Sequence, residues 1–282
     1  MSYPGSKGGS GVWQKIISHM PVHVHYIEAF AGSAVILKTK RPAPGRNIGI
    51  DVDRCVCDRL SSELPVSAAT VICGDAMQWL PDLQECQEPT TLVYCDPPYL
   101  AETRTRRLYA HELYTPDEHE SLLTMLQGLR CMVMLSGYWS QLYHDRLSDW
   151  GMIHFPAMTR GGLREEHLWM NFPAGRPLHD TRWHGEDYRE RERIKRKRKR
   201  WTLRLMAMPQ AERQILREAI TAIPDDAAGV QDPAPSLPTM LEAQSFHPAA
   251  AEQAAAGLYS SGAAYLIATE AASPRVSPLV LV

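Results

Sequence analysis

The chain has 282 residues and a mass of 31.7 kDa, and 44% of its residues are apolar, enough for one substantial core with a smaller appendage. No apolar run approaches the ~20 residues of a membrane-spanning helix, and the start MSYPGSKGG lacks a signal-peptide pattern, so a soluble, cytoplasmic chain is expected. The net charge of −2 is uninformative as a total, but residues 189–200 hold nine basic and two acidic side chains, +7, which leaves −9 for the other 270 positions.

In chain order, HYIEAF reads as a short apolar strand running into the small-residue turn AGSA, with VILKTK as the helix that follows. NIGIDVD is a strand ending in acid, and CVCDRLSSEL is its helix. ATVICGDAMQWLPDL repeats the pattern of strand, Gly-Asp turn and helix, and TTLVYCDPPY is a strand stopped by two prolines. Short apolar strands alternating with helices predict βαβ units in a mostly parallel sheet, an α/β fold with helices on both faces. Thr115-Pro116, followed by Asp117 and Glu118, is a helix start, RCMVMLSGY a further buried strand, and EEHLWMNFP the last clear strand before Pro173.

The first 175 residues form one globular unit on this reading. Residues 176–223 make a basic, mainly helical extension, its periodicity broken near Met208-Pro209. Residues 224–282 are an Ala/Pro-rich tail, expected to be partly disordered, and from 221 onward acidic residues outnumber basic ones six to one. The six cysteines, at 55, 57, 73, 86, 95 and 131, contain no CxxC pair and mostly sit in apolar segments, which suits buried thiols in a reducing compartment and no metal site.

Four polar signatures end four successive strands: EAFAGSA (28–34), GIDVD (49–53), CGDAM (73–77) and CDPPY (95–99). Small residues after a first strand let a ligand approach the backbone, and an acid after the second accepts hydrogen bonds from ribose hydroxyls. Each signature taken singly has a plain alternative. Gly32 is a turn residue, Asp51 and Asp53 are solvated turn acids, and Asp75 is a helix cap. The first signature is not the GxGxxG fingerprint, since Ala34 stands where a glycine is required, so a nucleoside-type cofactor without a pyrophosphate suits it better than a dinucleotide.

Together and in this order the signatures resemble class I S-adenosylmethionine-dependent methyltransferases, and more narrowly the Dam-type, or D12 class, adenine-specific DNA methyltransferases. The resemblance rests on YPGSKGG (3–9), YIEAFAGSA (26–34), IGIDVD (48–53), VICGDAMQWL (71–80) and LVYCDPPY (92–99), with LSGYWSQLY (135–143) and REEHLWMNFP (164–173) similar to later strand motifs. It implies a Rossmann-like sheet and S-adenosyl-L-methionine as cofactor. It further implies that Tyr3 and Lys7 contact the methionine part and that Glu28, Phe30 and Gly32 line the methionine and sugar. Asp51, with Asp53 as competitor, would take the ribose hydroxyls, Asp75 the adenine amino group, and Ala76 would offer a backbone amide.

The chemistry expected of Asp96, Pro97, Pro98 and Tyr99 follows from the target. The exocyclic amine of adenine is a weak nucleophile because its lone pair is delocalised. The Asp96 carboxylate and the Pro97 carbonyl would hold its two N–H bonds, the prolines would fix both acceptors, and Tyr99 would stack on a flipped base. No covalent intermediate is needed, and Cys95 is read as a core residue. An Asp before Pro-Pro-Tyr leans towards adenine N6 transfer, with cytosine N4 as an alternative.

One departure from the family is plain: Asp75 and Asp96 are only 21 positions apart, leaving no room for the recognition insertion of the Dam-type arrangement. Contacts to double-stranded DNA are therefore expected from Arg104, Arg106, Arg107 and Tyr109 after the DPPY turn, and from Lys195, Arg196, Lys197, Arg198, Lys199 and Arg200. An RNA adenine methyltransferase and an inactive nucleic-acid-binding protein on the same fold are the other readings. A role beside a restriction endonuclease, or in a phage or mobile element, is compatible with all of this.

Overall fold

The computed structural model describes residues 7–9, 11–100, 115–159 and 162–224. The chain divides into two units, Met1–Ile215 and Leu216–Val282. In the first, seven strands form one sheet: β1 (His25–Ala29), β2 (Asn47–Asp51), β3 (Thr70–Cys73), β4 (Thr91–Cys95), β5 (Met132–Gly137), β6 (Gly151–Thr159) and β7 (Gly162–Met170). Their spatial order is β3-β2-β1-β4-β5-β7-β6. The first five run parallel, and β7 is antiparallel to both β5 and β6. This is a Rossmann-like α/β sheet with helices on both faces.

Side-chain alternation explains why both faces are covered. In β1, Tyr26 joins a core cluster on one face and Ile27 a cluster on the other. Helices α1 (Val12–Ile17), α2 (Val35–Thr39) and α3 (Arg54–Glu63) supply Ile16, Ile36, Leu37, Val56 and Leu60 to the first cluster. Helices α4 (Ala76–Asp82), α5 (Pro116–Gly128) and α6 (Gln141–Arg146) supply Leu80, Leu122, Leu126 and Tyr143 to the second. The start of α5 is as the sequence predicts. Thr115 caps it, and the Thr115 hydroxyl and Glu118 carboxylate complete a reciprocal capping box.

The order of the sheet places the site. Going outward from β1, the chain moves to β2 and β3 on one side, then returns to β4 and β5 on the other. The switch point between β1 and β4 lies where an open α/β sheet binds ligands, outside the carboxyl ends of the strands. Ala29 is in register with Cys95, and Asp51 with Cys73, so all four strand-end signatures emerge at this edge.

Strand β6 is not legible in the sequence. It is an edge strand with exposed Met152, His154, Pro156 and Met158, and it alternates between two half-apolar faces. Pairing of β7 with β5 stops at Gly137–His167, whereas β6 and β7 continue together as far as Thr159–Gly162.

After β7, residues 176–187 return to the body. Val22 donates to the Pro177 carbonyl at 2.9 Å, the buried Asp180 accepts from the Arg41 amide at 2.9 Å, and the Trp13 and Trp183 rings lie 4.4 Å apart. Hydrogen bonds from Arg182 outweigh burial and hold Asp180 at a pKa of about 2. Asp187 then caps α7 (Tyr188–Ala207), a helix of 20 residues carrying the basic run. The break near Met208-Pro209 is present, and α8 (Gln210–Thr221) follows it. No helix among the described residues is long and apolar enough to cross a membrane. All six cysteines are free, with Cys55 and Cys73 exposed.

Candidate active site

At the end of β1 the backbone must turn within a few residues towards α2, and it does so through left-handed conformations at Phe30 (φ 57°), Gly32 (φ 51°) and Ala34 (φ 49°). Only glycine takes such a conformation without strain, so two of the three positions carry a conformational cost, and such strain concentrates at binding sites. Asp51 locks the turn: its carboxylate accepts from the Gly32 amide at 2.8 Å and from the Asp53 amide at 2.9 Å. Each carboxylate oxygen keeps lone-pair capacity for a further donor. Burial raises the Asp51 pKa.

The neighbouring acids divide the work. Asp53 spends its side chain capping α3 by accepting from Cys55, and Asp75 caps α4 by accepting from Met77 at 2.9 Å. Of Asp51, Asp53 and Asp75, Asp51 is thus the one that is both buried and not a helix cap. At Gly74 beside it, an added Cβ would meet the Trp79 ring. Ala76 opens α4 and is buried.

Glu28 is also buried. It accepts from the Tyr26 hydroxyl at 3.0 Å and from the Leu37 amide at 2.6 Å, and burial pushes its pKa up to about 8. Glu28 is thus committed to holding the turn, and its burial favours the neutral form.

The second half of the site is a charge cluster at the end of β4. The Lys7 ammonium lies 2.8 Å from Asp96 Oδ1 and 2.7 Å from Glu166 Oε1, and it also donates to the Tyr99 hydroxyl, which in turn donates to Glu166. The Tyr99 ring meets Tyr138 edge-on, with centroids 4.6 Å apart. Burial raises Asp96 to a pKa of about 6; Lys7 pulls it down and Glu166 pushes it up. Burial alone would depress Lys7, but the two carboxylates outweigh it and the net shift is upward. Burial, with the two carboxylates, also holds the Tyr99 phenol far above its ordinary value.

The structure brings Lys7, Asp96, Pro97, Pro98 and Tyr99 to one edge with Glu28, Phe30, Gly32, Asp51, Asp75 and Ala76. Tyr3, Arg104, Arg106, Arg107 and Tyr109 lie outside the described residues. Cys95 is fully buried with its thiol pKa raised by burial, so it is no nucleophile. Glu166 and Tyr138 join the site without having been singled out in the sequence. No signal in the sequence marks Glu166, which follows Arg164 and Glu165 in a charged run, yet in β7 it is buried together with His167, Leu168, Trp169 and Met170.

Only part of this arrangement, Asp75 and the Asp96–Tyr99 pair with Tyr138, falls within a stretch that matches a known family. Residues 60–149 match the D12 class N6 adenine-specific DNA methyltransferases. The D12 match runs from the end of α3 to α6 and includes Asp75, Asp96, Tyr99 and Tyr138. Among curated proteins none matches the chain.

Solved structures with a similar fold include magnesium protoporphyrin IX methyltransferase from Synechocystis PCC 6803 with bound SAM, at 14% identity over 56% of this chain and 74% of that one, TM-score 0.37. A SAM-dependent methyltransferase from Agrobacterium tumefaciens aligns at 12% identity over 56% of this chain and 58% of its own, TM-score 0.37. Precorrin 8W decarboxylase from Methanobacterium thermoautotrophicum aligns at 10% identity over 61% and 94%, TM-score 0.38. The fold is read from the strand order, and the similarity to the D12 class is confined to residues 60–149.

Proposed function

We propose that the protein is a DNA adenine-N6 methyltransferase that uses S-adenosyl-L-methionine and acts on a base turned out of double-stranded DNA. The observation that carries this reading is the half-buried Asp96 carboxylate, beside Pro97-Pro98 and Tyr99 within the D12-matched stretch and already holding an N–H donor, the Lys7 ammonium, at 2.8 Å.

The residues present fit the cofactor. The left-handed turn at 30–34 brings backbone close to the switch point, Asp51 has acceptor capacity left for ribose hydroxyls, and Asp75 sits one strand further out for an adenine amino group. When bound, S-adenosyl-L-methionine supplies an electrophilic methyl group on sulfonium sulfur. The chain's own residues do the rest. Asp96 and the Pro97 carbonyl take the two N–H bonds of the target amine, which draws its lone pair out of the ring and towards the methyl group. With the cofactor bound, its methyl group would be the electrophile, and Asp96, whose pKa of about 6 suits a base working near neutrality, would take the proton that the nitrogen loses. Tyr99 and Tyr138, set edge-on, form two walls for a purine.

Helix α7 is the surface proposed to meet phosphate. The six consecutive basic residues Lys195–Arg200 point around the helix and cannot all face one duplex. Arg189, Arg193, Arg196 and Arg200, spaced i, i+4, i+7 and i+11, do share a face, and with Tyr188, Lys197 and the single acid Glu192 they line a hollow of about 430 Å³. Arg196 to Arg200 form no ion pair among the described residues, so their charge is available.

The test is transfer of labelled methyl groups to unmethylated duplex DNA and to RNA, followed by identification of the modified base. N6-methyladenine in duplex DNA is expected. Transfer to RNA alone would move the reading to RNA, N4-methylcytosine would change the base, and cofactor binding with no transfer to either polymer would leave a binding protein.

A further inference from the structure

Lys7 presents a difficulty for the proposed reaction that the structure also resolves. Its ammonium sits on Asp96 Oδ1, the atom that must accept from the target amine, and a buried ammonium does not leave a carboxylate without a replacement partner. Glu166 Oε1 is 2.7 Å from the same nitrogen, on a different strand, and is itself almost fully buried. The Tyr99 hydroxyl bonds both Lys7 and Glu166 and bridges the two positions. One ammonium is thus shared between two carboxylates, only one of which the chemistry needs.

We propose that Glu166 is a positioning residue that receives the Lys7 ammonium when the target amine docks, releasing Asp96 as an acceptor. The inference rests on the methyltransferase reading above. The displacement required is small, because Lys7 is already within bonding distance of both acids. No bond is made or broken in this handover, and net charge is conserved, since the entering amine is neutral and Lys7 stays in the site. The handover ties β7 to the loop after β4: Glu166 keeps Tyr99 oriented through its hydroxyl while it holds the cation. Other buried titratable groups do not offer this. Glu28 is committed to Tyr26 and Leu37, and Asp51 to the turn at Gly32.

The experiment compares wild type, Glu166→Gln and Glu166→Gln combined with Lys7→Met, at saturating cofactor, with cofactor affinity measured separately for each by calorimetry. Glu166→Gln keeps the size and the acceptor for Tyr99 but removes the charge that draws Lys7 away. It is expected to lower kcat/KM for DNA roughly tenfold to a hundredfold, the size of one charge-assisted hydrogen bond. Removing Lys7 as well is expected to restore part of that loss, because the competitor for Asp96 is gone. Glu166→Gln should also move the acid limb of the rate profile to lower pH, since the Glu166 charge is one of the influences that raise Asp96. A double variant as slow as or slower than Glu166→Gln, or an unmoved acid limb, would overturn the handover and leave Glu166 a structural acid. Wild-type transfer to duplex DNA is the control for the parent reading. If wild type itself transfers nothing, that reading fails, whereas normal wild-type transfer with no rescue removes only the handover.

Discussion

Two regions of this chain carry concentrated charge and use it in opposite ways. At the end of β4 the Lys7 ammonium lies within 2.8 Å of both the Asp96 and the Glu166 carboxylates, and the three groups are largely removed from water. Along α7 ten basic residues, all but the half-buried Arg191 exposed, face solvent, two of them paired with Glu190 and Glu192 at 3.2 and 3.3 Å. In the first region few charges interact strongly, and removing one leaves another unpaired in a poorly solvated place. In the second, many charges interact weakly, and the sum matters only to a partner that meets several at once. Burial gives chemical specificity, and exposure gives attraction without it.

The largest effect should come from the buried cluster. Asp96→Ala is expected to reduce methyl transfer at least about a thousandfold, because the amine loses its charged acceptor, while cofactor affinity measured by calorimetry stays close to wild type. A variant with most of its activity would mean that another group orients the amine. Next comes α7. Changing Lys195 to Arg200 to glutamine should weaken duplex binding and flatten the dependence of log affinity on log salt by at most about 5 units, less if only the Arg189–Arg193–Arg196–Arg200 face reaches phosphate. An unchanged salt slope in titrations at several ionic strengths would make the helix a solvated surface only.

The pH dependence should separate the two regions as well. Asp96 must be ionised to accept, and its pKa is raised to about 6, so activity is present above that value and falls about tenfold per unit as pH drops below it. DNA binding through α7 should not follow the same curve, because arginine and lysine stay charged throughout that range. An acid limb near pH 4 in single-turnover rates would show that Asp96 works as an ordinary exposed carboxylate.

How far the sequence reveals each region follows from the same physics. Strands β1 to β5 were legible because parallel strands buried on both faces are continuous apolar runs, and the polar residues that end them cannot be part of the core. Asp51, Asp75 and Asp96 were found that way. Strand β6 was not, because it is half exposed and contains Pro156. Glu166 was hidden for a related reason. It follows Arg164 and Glu165 and looks like part of a solvated charged run, and only the position of β7 beside β5 turns it inward towards Lys7, 159 residues away in the chain. The helix α7 was legible in composition but not in direction, since six consecutive charges specify a patch, and only helical geometry shows which four share a face.

The smallest effect tests whether the charges of α7 serve stability or attraction. Glu192 contacts Lys195 at 3.3 Å with the lysine well exposed. Such a surface pair at i, i+3 is worth at most about 0.5 kcal/mol, since its Coulomb energy is screened and two long side chains must be ordered to form it. Glu192→Gln should therefore change the urea midpoint barely or not at all. The same substitution removes a negative charge from the edge of the arginine face and frees Lys195, so duplex affinity at low salt should rise by a few-fold and the gain should vanish near 1 M salt. If the variant instead lost stability and gained no affinity, the acidic residues of α7 would be there to hold the helix together, and the contrast between a buried site that works by pairing and an exposed one that works by summation would not hold.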